Sequence, residues 1–294
     1  MSTPIATRLT AWWHRQHEEH PRLTKWLQPV IDVWSELTRV ELVDRSLALG
    51  AQALLAVIPL LMLLHAAAGV GTIDVAQVHQ VTGVSESELD VLARGLSGAT
   101  PDTSALSVVV AIVSGTSFSR ALQRMYARVW DLPTFSGVRA LRGSLIWLLV
   151  WILLLQGVAG AVRWSAGAPL ASLTLQLVAT TVIWWWTAYL LLGGRVGWRE
   201  LLPGGFATGA LLVLLSRASH LFMPVFARAN LEQFGPLGIV FALASWLVMF
   251  GGVLIVATVL GRFVSRLLAR GGPEETAGVG DLPARPGRRL IQDG

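Results

Sequence analysis

The chain has 294 residues, of which 53% are hydrophobic and 14% charged, with a formal net charge of +5. A soluble globule of this size needs more polar surface than these residues supply, so the composition predicts a membrane protein. The arginines gather beside apolar runs, which indicates membrane orientation and not nucleic-acid binding, and the absence of cysteine excludes thiolate and disulfide chemistry.

Residues 1–45 are predicted to be a cytoplasmic or interfacial amphipathic segment. Its apolar residues recur at helical spacing, and we expect an interruption near Pro29. The stripe consists of Trp26, Leu27, Ile31, Trp34 and Leu37. Three histidines occur just before it, but their spacing does not bring all of them to one point, so we favour a solvated helix face over a metal site.

Six apolar runs follow and make up a predicted domain over residues 46–270. A bilayer core of roughly 30 Å needs about 20 helical residues. The runs are 46–69, 104–119, 143–162, 169–192, 203–226 and 236–260. The predicted fold class is therefore all-α, a polytopic membrane protein with six transmembrane helices. Residues 271–294 are rich in glycine and proline and are predicted to be a disordered cytoplasmic tail.

The second run continues without a break into a basic amphipathic helix. Arg120, Arg124 and Arg128 recur every four residues and form one stripe, and we expect Pro133 to end the helix. Arginines at the exit of a membrane helix indicate the cytoplasmic side. Two interpretations of the stripe stay open: it contacts anionic lipid headgroups or a phosphate, or it acts only as a topology signal.

The distribution of charge supports cytoplasmic N- and C-termini. Nineteen of the 23 Lys and Arg residues fall in the segments predicted to be cytoplasmic. The connection 70–103 is acidic, is predicted to be external, and contains a capping box from Ser85 to Glu88 that predicts a short helix. Three helices in each half also predict halves of opposite orientation, as in many transporters.

Arg217 is the most informative single residue, because it stands 14 positions into the fifth run. A charge at that depth costs at least about 2.5 kcal/mol unless it faces protein or water. Four further polar residues are predicted in the external half: His220, His65, Gln156 and Gln176. These residues predict an outward-open cavity that binds an anionic substrate, and the alternative is that Arg217 snorkels to the outer interface.

Enzyme chemistry finds little support in the sequence. Ser114 precedes a glycine as in intramembrane serine proteases, but the first glycine of that motif is missing and no histidine is expected nearby. We predict no metal site and no cofactor, because the buried histidines lack matching acids and the glycine-rich segments lack the lysine of a phosphate-binding loop. Gly205 and Gly209 instead fit close helix packing.

Four stretches give the chain a family likeness over about residues 40–270. They are IPLLMLL in the first run, SRALQRMYARVWDLP, WRELLPGGFATGALLVLLSRASHLF and FGPLGIVFALASWL. In order and spacing they resemble the YihY/BrkB family of bacterial inner-membrane proteins, also described as envelope-integrity proteins. The chain departs from the usual family pattern at Gly50 to Gln52 and at Phe234 to Gly238.

The resemblance implies a multi-pass protein of the bacterial inner membrane that serves the cell envelope. Its expected function is that of a transporter or lipid translocator, and the alternative is a non-transporting envelope-integrity scaffold that acts through protein partners. We do not expect the protein to be an enzyme, because its residues support no enzyme activity that the resemblance would imply. The expected partners are the lipid bilayer and anionic lipid headgroups, with no nucleic acid.

Overall fold

Seven helices make up most of the described part of the chain, which in the computed structural model comprises residues 21–68, 82–85, 87, 104–164 and 169–270. The helices are α1 (Pro21–Arg39), α2 (Leu42–Ala68), α3 (Ser104–Val129), α4 (Gly137–Trp164), α5 (Pro169–Leu191), α6 (Trp198–Phe234) and α7 (Pro236–Arg270). No strand occurs among these residues, so the all-α prediction is confirmed. The tail 271–294 and most of the connection 70–103, including the predicted short helix, lie outside the described residues.

Three helical stretches are long and apolar enough to cross a membrane: Leu170–Leu191, Trp198–Phe234 and Pro236–Ala269. The described residues of each predicted run lie within a helix, apart from Leu192 at the end of the fourth run. The fifth and sixth runs are parts of longer helices, because α6 has 37 residues and α7 has 35. At 1.5 Å per residue α6 is roughly 55 Å long, which exceeds the thickness of a bilayer core.

The helices pack around two clusters of buried side chains. The first cluster joins α3, α5 and α7 through residues that include Leu122, Leu191 and Ile255, and the second joins α6 and α7 through Met223 and Ile239. Val84 is fully buried in the second cluster. A short segment of the predicted external connection therefore packs directly on α6.

Tryptophan side chains join α4 to α5 by hydrogen bonds and ring contacts. The indole N–H groups of Trp147 and Trp151 both donate to the hydroxyl of Thr187, at 3.3 and 3.2 Å. Trp184 is 4% exposed, and its ring lies 5.6 Å from that of Trp151. Trp184 therefore fills the interior of the bundle and is not part of an interfacial belt.

Helix ends differ in two places from the sequence predictions. Pro29 does not interrupt α1, which runs through it. Helix α3 ends at Val129, before Pro133, because Asp131 adopts a left-handed conformation with φ of 51°. The Asp131 N–H bonds to the carbonyl of Arg128, and the Leu132 N–H to that of Ala127, which together form a Schellman cap. Pro133 follows this cap and does not cause it.

Glycines allow the close helix contacts that the sequence predicts. A Cβ atom at Gly205 would lie 2.6 Å from the Cβ of Trp185, and one at Gly209 would lie 3.0 Å from the backbone nitrogen of Thr181. Both positions therefore let α6 approach α5, as expected. Gly235 has φ of 61° and forms the turn between α6 and α7.

Four chain segments meet at one end of the bundle, which we call the basic end. It contains Arg39 at the end of α1, Asp131 after α3, Arg195 after α5 and Arg262 in α7. The Arg39 guanidinium donates to Asp131 at 2.8 Å, and Arg195 donates to the carbonyl of Pro133 at 2.6 Å. The Ser265 hydroxyl donates to the carbonyl of Glu200. The chain therefore leaves this end and returns to it three times.

Candidate functional site

Arg262 is a buried arginine at the basic end, with a side chain that is 9% exposed. Its Nη1 donates to Glu36 at 3.1 Å and to the backbone carbonyl of Val129, and its Nη2 donates to Asp131 at 2.6 Å. These partners come from α1 and from the end of α3. One guanidinium therefore joins three separate parts of the chain, and Asp131 can reach it because the left-handed turn after α3 places its carboxylate there.

Arg39 completes this ion-pair network. It donates to Asp131 and also to Glu36, at 2.9 Å through Nε. The hydrogen bond from Arg39 lowers the pKa of Glu36 below its ordinary value, and the hydrogen bond from Arg262 does the same for Asp131. These bonds also raise the pKa of Arg39, chiefly through Glu36. Two carboxylates thus neutralise two guanidinium groups, and the network is well matched in charge.

From the sequence, Arg262 and Arg39 are predicted only as charges that mark the cytoplasmic side. The sequence feature that could have indicated this network is Asp131, an acidic residue directly after a helix that ends in a row of arginines. An aspartate tolerates the left-handed conformation of a helix cap, so it is suited to presenting a carboxylate at such a turn. The network is structural, because its donors and acceptors satisfy one another.

The predicted arginine stripe lies on the surface of α3. Arg124 and Arg128 are exposed and Arg120 is half-buried, whereas Leu122 and Met125 on the other side of the helix are buried. None of the three arginines forms an ion pair with a described residue. Their geometry is compatible with anionic lipid headgroups, and that contact remains a prediction.

Arg217 lies on an exposed face of α6. Its neighbours one turn before and after, Leu214 and Leu221, are 62% and 82% exposed. The adjacent Ser216 and Ser219 face the opposite way and are buried, and Ser219 accepts a hydrogen bond from the indole of Trp246. Arg217 thus projects from an apolar surface of the bundle, and it forms no ion pair with a described residue.

The other predicted cavity residues have mixed placements. His220 is half-buried beside the segment 82–85, since Gly83 lies against the backbone of Ser219 and His220. Gln176 in α5 is half-buried. The backbone of His65 and Gln156 lies in α2 and α4, but their side chains are outside the described part of the structure. The outer cavity itself therefore remains a prediction.

Within the described residues, no group of three or more His, Cys, Asp and Glu side chains is arranged to hold a metal ion. A small cavity of about 10 Å³ lies between α3, α5, α6 and α7, beside Tyr126, Thr208 and Thr258. This volume accommodates about one water molecule and no larger ligand.

The long apolar helices and all-α architecture define the class of this protein: it is a helical membrane protein. Residues 33–278 match the family model described as Virulence factor BrkB, which covers well over half of the chain. The chain belongs to this family, and the family resemblance predicted from its sequence is confirmed. Comparison with curated proteins and with solved structures gave no match.

Proposed function

We propose that this protein is a multi-pass protein of the bacterial inner membrane, with six crossings and both termini in the cytoplasm, and that it translocates lipids. The meeting of four chain segments at the basic end supports an even number of crossings between them. The arginines concentrated in those segments support a cytoplasmic location for that end. The membership of the chain in the BrkB family fits this assignment.

The exposure of Arg217 is the observation that carries the proposed lipid function. Arg217 stands 19 residues after Trp198, roughly 28 Å along α6 from the basic end. A guanidinium on a lipid-facing surface is costly unless an anionic group neutralises it. The phosphate of a lipid headgroup has the required charge and can reach this face from the bilayer. A soluble solute would instead require an enclosed cavity around the arginine.

Translocation is tested in liposomes that contain the purified full-length protein and a trace of fluorescent phospholipid, with dithionite used to quench the outer leaflet. We expect the wild-type protein to increase exchange between leaflets and Arg217→Leu to reduce it about tenfold or more. Arg217→Lys retains the charge and is expected to keep most of the activity. The matched control is Leu221→Ala, which alters the same exposed face without changing its charge.

Two results of this experiment would contradict the proposal. Equal exchange by the wild-type protein and Arg217→Leu would mean that Arg217 only snorkels to the interface. Exchange no faster than in protein-free liposomes, with the protein correctly inserted, would overturn lipid translocation as a whole.

A scaffold function in the cell envelope is the second candidate, and the buried segment 82–85 favours it. Thr82 and Val84 are 5% and 0% exposed, so the acidic connection has a fixed attachment to α6 from which it could present a surface. Replacing Glu86, Glu88 and Asp90 with glutamine should then abolish co-purification of envelope proteins after cross-linking. Unchanged co-purification would count against the scaffold.

A further inference from the structure

A pocket of about 420 Å³ lies at the basic end, where the sequence predicts no binding site. Residues from α3, from the start of α4, from the end of α5 and from the two loops beside them line it. We call it the Arg142–Arg195 pocket; its lining also includes Gln123, Phe135, Ser144, Ile146 and Leu190. Its volume falls within the range of small-molecule sites in proteins.

Arg195 is held in place at the edge of this pocket. Its Nε donates to the carbonyl of Leu192 at 2.9 Å, and its Nη1 donates to the carbonyl of Pro133 at 2.6 Å. The guanidinium carbon stacks 4.0 Å above the ring of Phe135. These contacts use two of the five N–H donors of a guanidinium. The remaining donors are therefore available on a side chain whose orientation is already fixed.

Arg142 supplies the second positive charge. It lies in the second turn of α4, is exposed, and forms no ion pair with a described residue. No Asp or Glu lines the pocket, and the carboxylates of Glu36 and Asp131 at the same end of the bundle are already paired with Arg39 and Arg262. The pocket therefore has two guanidinium groups and no carboxylate in its lining.

The C-terminus of α5 borders the pocket, and a helix C-terminus disfavours anions. Its last carbonyls are, however, already bonded to donors of the protein. The Leu190 carbonyl accepts from the N–H of Gly193 at 3.0 Å, and the Leu191 carbonyl accepts from the side-chain amide of Gln123 at 3.3 Å. The helix end should therefore weaken the attraction of the two arginines for an anion only slightly.

An apolar surface adjoins the pocket along α4. Ile146 lines the pocket and is 40% exposed, and Leu145 and Leu149 on the same helix are 40% and 60% exposed. A ligand with a phosphate in the pocket could therefore lay a hydrocarbon chain against α4. A free phosphate would gain no binding free energy from this surface. An anionic phospholipid would gain it both from the arginines of the pocket and from the apolar surface of α4.

We propose that the Arg142–Arg195 pocket binds the phosphate of an anionic lipid in the leaflet next to the basic end. Arg195 provides a fixed donor group, and the exposed Arg142 closes on the phosphate from the opposite side. The acyl chains lie outside the pocket along Ile146 and Leu149. Binding here does not depend on lipid translocation, because the pocket and Arg217 are at different depths of the bundle.

The test measures binding of single lipids to the purified full-length protein in neutral detergent by native mass spectrometry. The probes are phosphatidylglycerol, phosphatidylcholine and soluble glycerol phosphate. We expect phosphatidylglycerol to bind more tightly than the other two. Arg142→Gln should weaken its binding about fivefold, as expected for one basic contact with an anionic lipid. The matched control is Arg199→Gln, which removes an exposed arginine at the same end outside the pocket.

The double variant Arg142→Gln with Arg195→Gln should bind about 20-fold more weakly, but Arg195 also holds the loop at Pro133. Arg142→Gln alone therefore decides the proposal if the double variant does not fold. Equal weakening by Arg142→Gln and Arg199→Gln would overturn it, because the effect would then be general surface charge. Glycerol phosphate binding as tightly as phosphatidylglycerol would overturn the assignment to a lipid.

Discussion

Arg262 and Arg217 lie on neighbouring helices that pack against each other, yet their side chains differ in burial and in hydrogen bonding. Arg262 is buried and bonded to Glu36, Asp131 and a backbone carbonyl. Arg217 is exposed between Leu214 and Leu221 and forms no ion pair with a described residue. Both charges are costly in an apolar surrounding, but only one is neutralised by the protein itself. Stability should therefore depend on the region around Arg262, and ligand binding on Arg217.

The closest helix contact near Arg262 gives the largest expected effect on stability. A Cβ at Gly261 would lie 2.5 Å from the backbone nitrogen of Gly204 and 3.2 Å from the carbonyl carbon of Pro203. Backbone atoms cannot move aside as a side chain can, so α6 and α7 would have to separate. We expect Gly261→Ala to lower the free energy of unfolding by about 3 kcal/mol or more, measured by chemical unfolding in mild detergent.

Gly204→Ala is the matched control, because it adds the same methyl group to the other side of this contact. Its Cβ would lie 3.8 Å from the Cα of Gly261, which is an ordinary van der Waals distance. We expect stability to change by less than about 1 kcal/mol. Similar losses for both variants would mean that α6 and α7 do not approach each other as described.

Loss of the Arg262 guanidinium should have the next largest effect. Arg262→Met keeps an apolar side chain of similar length but leaves Glu36 and Asp131 each with one guanidinium partner fewer. Removing one member of a fully buried ion pair costs about 3–5 kcal/mol. Because the side chain of Asp131 is 54% exposed, we expect a smaller loss of about 2 kcal/mol in the same unfolding experiment.

The control for Arg262 is Arg199→Met, at the start of α6, where the arginine is exposed. It should change the unfolding free energy by less than about 0.5 kcal/mol. If both variants lost the same amount, net charge and not the buried network would be responsible.

The same network predicts a loss of stability in acid. The pKa values of Glu36 and Asp131 are lowered in the folded protein from ordinary values of 4.5 and 3.8. The folded state therefore binds these protons less readily than the unfolded state, and the stabilisation is present above those values and lost as the pH falls below them. Because Glu36→Gln removes only the Glu36 carboxylate, we expect the Tm of the wild-type protein to fall between about pH 5 and 3 by about 2–4 °C more than that of the variant. Parallel Tm curves for the two proteins would contradict this.

Helices and charge distribution are predictable from this sequence because both are local properties. The continuous helix from Ser104 to Val129 and the close packing at Gly205 and Gly209 follow from spacing and residue size. The family follows from motifs that are also local in sequence.

The buried network could not be predicted in this way. Arg262 is separated by 131 residues from Asp131 and by 226 from Glu36, so no periodic pattern connects them. Whether Arg217 lies on the exposed or the buried face of α6 also cannot be predicted from the sequence. Helix α6 is apolar around most of its circumference, so the spacing of its hydrophobic residues does not indicate which side is buried. The depth of a charge can be counted from sequence, whereas its partners depend on how the helices pack.

The smallest expected effect on stability is that of Arg217→Leu, and it separates the two regions most sharply. Because Arg217 is exposed and unpaired among the described residues, its removal breaks no ion pair in the fold, and leucine extends the apolar surface of Leu214 and Leu221. We expect the unfolding free energy in detergent to change by less than about 0.5 kcal/mol or to rise slightly. A loss as large as that of Arg262→Met would show that Arg217 is bonded within the protein, and would turn the proposed lipid site into a second structural arginine.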